Sequence, residues 1–154
     1  MKNNEALQEL ISGWFPGLEF WEEGSEFLNI ETPPDQLFAL MSRLKEDEQT
    51  RFDYLYCLSG VDWGETLGVI YHLESTIHRH SLVVRVQTED RDHPSFDSVC
   101  SIWYTAEFHE REAFDFFGIT FNNHPNLKRL FLTEEWEGFP LRKDYVDEIN
   151  MIIK

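Results

Sequence analysis

His109-Glu110-Arg111-Glu112-Ala113-Phe114-Asp115-Phe116-Phe117-Gly118 decides how the chain is read, because as a helix it cannot stand alone. At about 100° per residue, Glu107, Arg111, Glu112 and Asp115 fall along one polar arc and Ala113, Phe114 and Phe117 along the opposite one. Glu110 breaks the pattern. It lies between Phe114 and Phe117, so an acid is aimed at an aromatic surface, where leaving it unpaired costs roughly several kcal/mol. It therefore requires a partner. Phe108 is misplaced in the opposite sense, an aromatic among charges, and is expected to be covered by the following loop or by another protein. Glu107, Arg111 and Asp115 at successive i+4 spacings also fit a surface ladder worth about 0.3–0.5 kcal/mol per pair.

Working upstream, residues 87–94 form an acidic loop and a helical run is expected from about Phe96 into this motif. Three strands precede it. In the first, Phe52, Tyr54, Tyr56 and Leu58 alternate against Asp53, Leu55 and Cys57. In the second, Leu67, Val69, Tyr71 and Leu73 alternate against Gly68, Ile70, His72 and Glu74; the third is Leu82 to Val86. Their short connections suit antiparallel neighbours. Nearer the start, Leu7, Leu10, Ile11 and Trp14 recur at helical spacing, Phe27 to Glu31 reads as a strand, and Thr32-Pro33-Pro34-Asp35 opens a second helix with Thr32 as its cap. Leu37, Leu40, Met41 and Leu44 are that helix's buried stripe. The order α-β-α-β-β-β predicts an α+β fold, a two-layer sandwich with helices on one face of a mixed or antiparallel sheet.

Downstream of Gly118 periodicity fades, yet Phe121, Leu127, Leu130, Phe131, Trp136, Phe139 and Leu141 are too apolar for a solvated tail. The expected division is a core domain over residues 1–118, including the motif helix, and an extended partner-docking tail over 119–154.

Composition narrows the function. Thirteen Lys+Arg against 29 Asp+Glu give a formal charge of −16, which opposes non-specific binding to nucleic acid or an anionic membrane. Two cysteines, Cys57 and Cys100, with no CxxC, cannot hold an iron–sulfur cluster or structural zinc alone and suit a reducing compartment. No run approaches the ~18–20 apolar residues of a membrane helix, and the N-terminus has no signal-peptide pattern; a soluble, cytoplasmic chain without a membrane span is expected.

Catalytic motifs are weak. His109-Glu110 begins like H-E-x-x-H, but position 113 is Ala, so the second zinc ligand is missing. His78-Arg79-His80 with His72 is a conceivable metal cluster but reads more readily as solvated. Glu110 and Glu112 diverge by about 160° on a helix and cannot share a substrate atom, which counts against a carboxylate hydrolase. Gly60, Gly64 and Gly68 lack the order of a phosphate-binding loop.

Glu110-Arg111-Glu112, Asp115-Phe116-Phe117-Gly118, Phe121, His124-Pro125, Leu127, Arg129-Leu130, Trp136-Glu137-Gly138 and Pro140-Leu141-Arg142-Lys143-Asp144-Tyr145 together resemble the signature of the C-type subunit family of NADH-quinone oxidoreductase, the thirty-kilodalton-type subunit of respiratory complex I. Phe52-Asp53-Tyr54-Leu55, Val61-Asp62, Val69 to Leu73 and Val83 to Val86 extend the resemblance over roughly residues 50–145. Phe108 stands where many relatives have Trp, and Phe131 where an aliphatic residue is usual. The resemblance implies a two-layer α+β core with an extended C-terminal segment, and no flavin, cluster or metal on this chain. NADH, FMN, iron–sulfur clusters and quinone would be handled by other subunits. It implies a non-catalytic scaffold in the hydrophilic arm, peripheral on the cytoplasmic side of the membrane, packed against the quinone-site (D-type) subunit and the cluster-bearing subunits. Glu110, Arg111 and Glu112 would brace the tail, and Arg142 and Lys143 would face an acidic partner surface. A related membrane-bound hydrogenase, or a dehydrogenase fed by another donor, shares these motifs.

Overall fold

A computed structural model describes residues 4–22, 27–129 and 138–143. Leu130, Phe131, Trp136, Glu137, Asp144 and Tyr145, all part of the expected tail, lie outside the described residues. The elements are α1 (Asn4–Trp14), β1 (Glu19–Trp21), β2 (Leu28–Glu31), a 3₁₀ turn (Pro34–Gln36), α2 (Leu37–Glu46), β3 (Tyr54–Asp62), β4 (Leu67–Ser75), β5 (His80–Thr88), β6 (Ser95–Asp97), α3 (Ala106–Phe117) and β7 (Thr120–Asn122).

The main sheet has the order β1-β2-β5-β4-β3. β2 and β5 run parallel and every other neighbouring pair is antiparallel, so the expected mixed sheet with helices on one face is what forms. The buried stripes of α1 (Leu7, Ile11) and α2 (Leu37, Leu40, Met41, Leu44) meet Val69, Tyr71, Leu73, Val84 and Val86 from the sheet in one core. Each such side chain, fully withdrawn from water, contributes about 1.5–3 kcal/mol. Ala106 and Ala113 bring α3 into the same core.

Several expectations are corrected. Thr32 does not cap α2. Its backbone N–H donates to the Arg85 carbonyl at 3.0 Å, prolonging the β2–β5 ladder, and Pro33 is still extended (φ −63°, ψ 150°). A residue before proline is held away from helical geometry, so two consecutive prolines delay the helix.

Tyr54 and Tyr56 do not share a face with Leu58. A bulge inserts Tyr56 between Leu55, which pairs with Leu73, and Cys57, which pairs with His72. The phase resets: Leu55 and Leu58 enter the core while Tyr54 and Tyr56 stay 45% and 37% exposed.

The helix expected from Phe96 begins ten residues later, at Ala106. Residues 95–97 are β6, paired in parallel with β7. Between β6 and α3 the chain coils across the core, with Val99, Ile102 and Trp103 buried and the Trp103 indole donating to the Phe52 carbonyl at 2.9 Å. β1 and β7 carried no sequence signal, being three residues each. β7 follows Gly118 directly and buries Phe121, with Ile119 beside it in the core.

Among the described residues no helix is long and apolar enough to cross a membrane.

Candidate functional site: a helix that latches the C-terminal segment

α3 ends at Gly118, whose φ of +74° is the left-handed geometry that closes the last turn onto the Phe114 carbonyl. A Cβ here would also lie 2.6 Å from the ring of Phe139. Glycine is thus required twice, by its backbone and by the ring laid over it. Leu141 donates its N–H to the Phe116 carbonyl at 3.0 Å, which pins residues 138–143 across the end of α3.

Asp115 is fully buried, which corrects the surface-ladder reading. Its carboxylate meets Arg129 at 3.2 Å, and the same guanidinium donates to the Asp115 carbonyl at 2.5 Å and to the Gly138 carbonyl at 2.9 Å. Arg129 also lies 4.7 Å from the Phe139 ring centroid and 5.9 Å from that of Phe114. One arginine therefore ties helix, loop and strap together by charge-assisted bonds and by stacking. A charge pair this buried is expensive to break from one side, about 3–5 kcal/mol. Glu107 pairs with Arg111 at 3.6 Å, and Arg111 reaches the carbonyls of Lys128 and Arg129 at 3.4 and 3.3 Å. Arg111 thus joins α3 to the backbone of residues 128 and 129.

Glu110 is also fully buried and does find partners. Its two hydrogen-bond donors lie upstream of the helix rather than in the tail. Ser98 Oγ donates to it at 2.6 Å and the Val99 N–H at 2.9 Å, so its role is to fix the turn after β6. Burial dominates those two bonds and pushes its carboxyl up to about 7. His124 Nε2 approaches it to 3.9 Å. The His124 ring is wired by its neighbours: Nδ1 accepts the Asn126 N–H at 2.9 Å, which leaves Nε2 to donate to the Glu107 carbonyl at 3.0 Å. Pro125 is exposed, Glu112 and Pro140 are half-buried. Glu110 and Glu112 accordingly offer no paired-acid site, one being sealed in the core and the other half-buried elsewhere on the helix.

A second anchor went unread in the sequence. Asp62, at the end of β3, receives both terminal nitrogens of Arg91 at 2.8 Å. It also accepts the Gly64 N–H and the Lys143 N–H, each at 2.8 Å. These donors, Arg91 foremost, hold its carboxyl far below the usual carboxylate range despite its burial. Arg142 donates to the Arg91 carbonyl at 2.6 Å. Its guanidinium is therefore turned inward, which corrects the expectation that it is offered outward; Lys143 remains exposed. The sequence signal for this anchor was a lone arginine in an otherwise acidic loop, together with an aspartate closing a strand.

The histidines do not gather. His78 bonds the Glu48 carbonyl, His80 the Asn4 side chain, and His72 lies against Tyr56. Among the described residues no group of three or more His, Cys, Asp or Glu is placed to hold a metal. An open cleft of about 330 Å³ lies beside the Glu110 turn, lined by Phe38, Asp97, Ser98, Ser101 and Asn123, without convergent charged groups.

Fold and site define a two-layer α+β domain whose densest polar network holds its own C-terminal segment in place. The chain belongs to the family described as the respiratory-chain NADH dehydrogenase 30 Kd subunit, whose model matches residues 30–149. It is 48% identical over 131 residues to the C-type NADH-quinone oxidoreductase subunit of Chloroherpeton thalassium, covering 83% of this chain and 54% of that one. Against the C-type subunit of Chlorobium phaeobacteroides identity is 42% over 137 residues, covering 82% of each. Against the C/D-type subunit of Phocaeicola vulgatus it is 47% over 122 residues, spanning 79% of this chain but only 23% of the relative. The chain thus spans about a quarter to a half of some of its relatives. Among solved structures, a chain of the membrane-bound sulfane sulfur reductase, an archaeal respiratory membrane complex, shares the fold with a TM-score of 0.79 at 24% identity, over 94% of this chain and 86% of that one.

Proposed function

We propose that this chain is a scaffold subunit of a proton-translocating NADH:quinone oxidoreductase, contributing shape and docking surface while NADH, FMN, iron–sulfur clusters and quinone are bound by other subunits. The observation that carries it is the use made of the signature residues. Asp115, Gly118, Arg129, Gly138 and Arg142 are spent on intramolecular bonds that order the strap at residues 138–143. Side chains so committed are unavailable for turnover, and a pre-ordered segment lowers the entropy cost of association. The D-type quinone-site subunit is the first partner expected, since relatives exist that carry the combined C/D name. The chain would sit peripherally on the cytoplasmic side of the membrane.

The test is to delete the gene in the native host and purify the membrane enzyme. Loss of assembled complex and of NADH:quinone activity is expected; an intact, active enzyme without this chain overturns the proposal. The same fold occurs in a sulfane sulfur reductase, so a complex fed by a different donor is the second reading. Identity of 42–48% to C-type subunits of NADH-quinone oxidoreductase favours the first. The electron-input subunits that co-purify discriminate the two.

A further inference from the structure

The bulge in β3 and the start of α3 meet at one bond: the Thr105 hydroxyl donates to the Leu55 carbonyl at 3.1 Å. Around this bond lies a concentration of exposed aromatic surface. Tyr54 (45% exposed) and Tyr56 (37%) flank Leu55 on β3, Tyr104 (83%) precedes Thr105, and Phe108 (46%) follows one helical turn later. These are four of the seven large apolar or aromatic side chains that stand well exposed among the described residues. Tyr54 and Tyr56 already meet as tilted rings, with centroids 6.0 Å apart, and Tyr56 leans on His72 at 5.6 Å. The strip lies where α3 runs along β3, the last strand of the sheet.

Carboxylates rim the strip. Glu74 is directly opposite Tyr54 across the β3–β4 pair, Asp53 precedes it and holds the turn at Thr76, and Glu112 lies one turn beyond Phe108. Of the nearby cations, Arg111 is directed to Glu107 and to backbone carbonyls, while Arg51 stands at the Asp53 end. Tyrosine and phenylalanine rings edged by acids suit a guanidinium, which stacks on the ring while bonding the carboxylate. A second copy of the chain, itself carrying −16, would be repelled, and the same acids disfavour an anionic lipid surface.

We propose that the Tyr54/Tyr56/Tyr104/Phe108 strip is a docking surface for a basic, arginine-bearing segment of another subunit of the assembly, separate from the surface presented by the C-terminal strap. This rests on the proposed scaffold function. Aromatic residues at such a centre carry a disproportionate share of binding energy.

The experiment places a benzophenone-bearing phenylalanine at Tyr104 in the chain expressed in its native host, with Glu19, exposed on the opposite edge strand β1, as the control position. After irradiation the membrane complex is purified and the adducts are mapped. The expected result is an adduct from position 104 to a different subunit and none to that peptide from position 19. Combining Glu74→Lys with Glu112→Lys should lower the yield of that adduct roughly tenfold, as like charges now face each other. A chain incorporated into the complex that yields no adduct at 104, or one only to itself, to a second copy or to lipid, overturns the docking surface and leaves the scaffold function standing. An adduct unchanged or increased by the charge reversal refutes a basic partner. A chain absent from the purified complex refutes the scaffold function, and the docking surface with it.

Discussion

Replacing Glu110 by Gln isolates an acid that burial holds well above its ordinary range. Burial raises its carboxyl from 4.5 to about 7, so the folded chain binds a proton that the unfolded chain has already released. Between those values stability falls as pH rises, because the native state then holds the extra proton. Below about 4.5 the contribution is fully present; above about 7 it is gone. Two and a half units at about 1.4 kcal/mol each give a full span of about 3.5 kcal/mol, of which about 3 falls between pH 4.5 and 8. Gln keeps an oxygen for the Val99 N–H and has no proton to lose, so Glu110→Gln should lack this component. Asp62, held low, loses its stabilisation only as pH falls below its ordinary value of 3.8, outside the window. His72 is held below its ordinary 6.5 by burial and acts alike in both proteins, so it cancels in the difference. The assay is urea unfolding of wild type and variant at half-unit steps from pH 4.5 to 8. Wild type should lose about 3 kcal/mol relative to the variant across that range. A flat difference curve, or one that rises with pH, would refute the assignment of Glu110 as a buried acid strained by ionisation.

Gly118→Ala should destabilise the chain by about 1–2 kcal/mol from the left-handed backbone alone, and should also displace Phe139. Hydrogen exchange at the Leu141 amide would report it, rising well above wild type while the amides of β4 and β5 stay protected. Tyr71→Phe tests the opposite case. Its buried hydroxyl has no hydrogen-bond partner among the described residues, so removing it should leave stability unchanged or raise it by up to about 1 kcal/mol, read as the midpoint of urea unfolding.

How much of this was legible in the sequence follows from where each signal resides. α2, β4 and β5 bury one face over nine or ten residues, so their period is visible. β1, β6 and β7 are three residues each and exist only because a neighbour supplies the other half of the ladder. The Tyr56 bulge was invisible for the same reason, since an inserted residue leaves an alternating pattern that looks regular until its partner strand is known. For α3, helical geometry placed Glu110 correctly among apolar groups but could not name Ser98 and Val99 as its partners. It placed Asp115 on a polar arc, and the structure buries it, because Arg129, fourteen residues on, folds back to neutralise it. Asp62 with Arg91 was missed outright. A lone arginine in an acidic loop and an aspartate closing a strand were the traces it left, and at positions 29 apart nothing local joins the two.

The central claim is that the polar network of α3 and Asp62 serves assembly rather than chemistry. Asp62→Asn, Asp115→Asn and Arg129→Gln, each introduced into the native host, test it through two quantities measured together: the amount of assembled membrane complex and its NADH:quinone turnover per assembled complex. The account predicts that assembly falls several-fold while turnover of what does assemble stays near wild type. Full assembly with turnover lost would contradict it, since these residues would then be acting in the reaction itself.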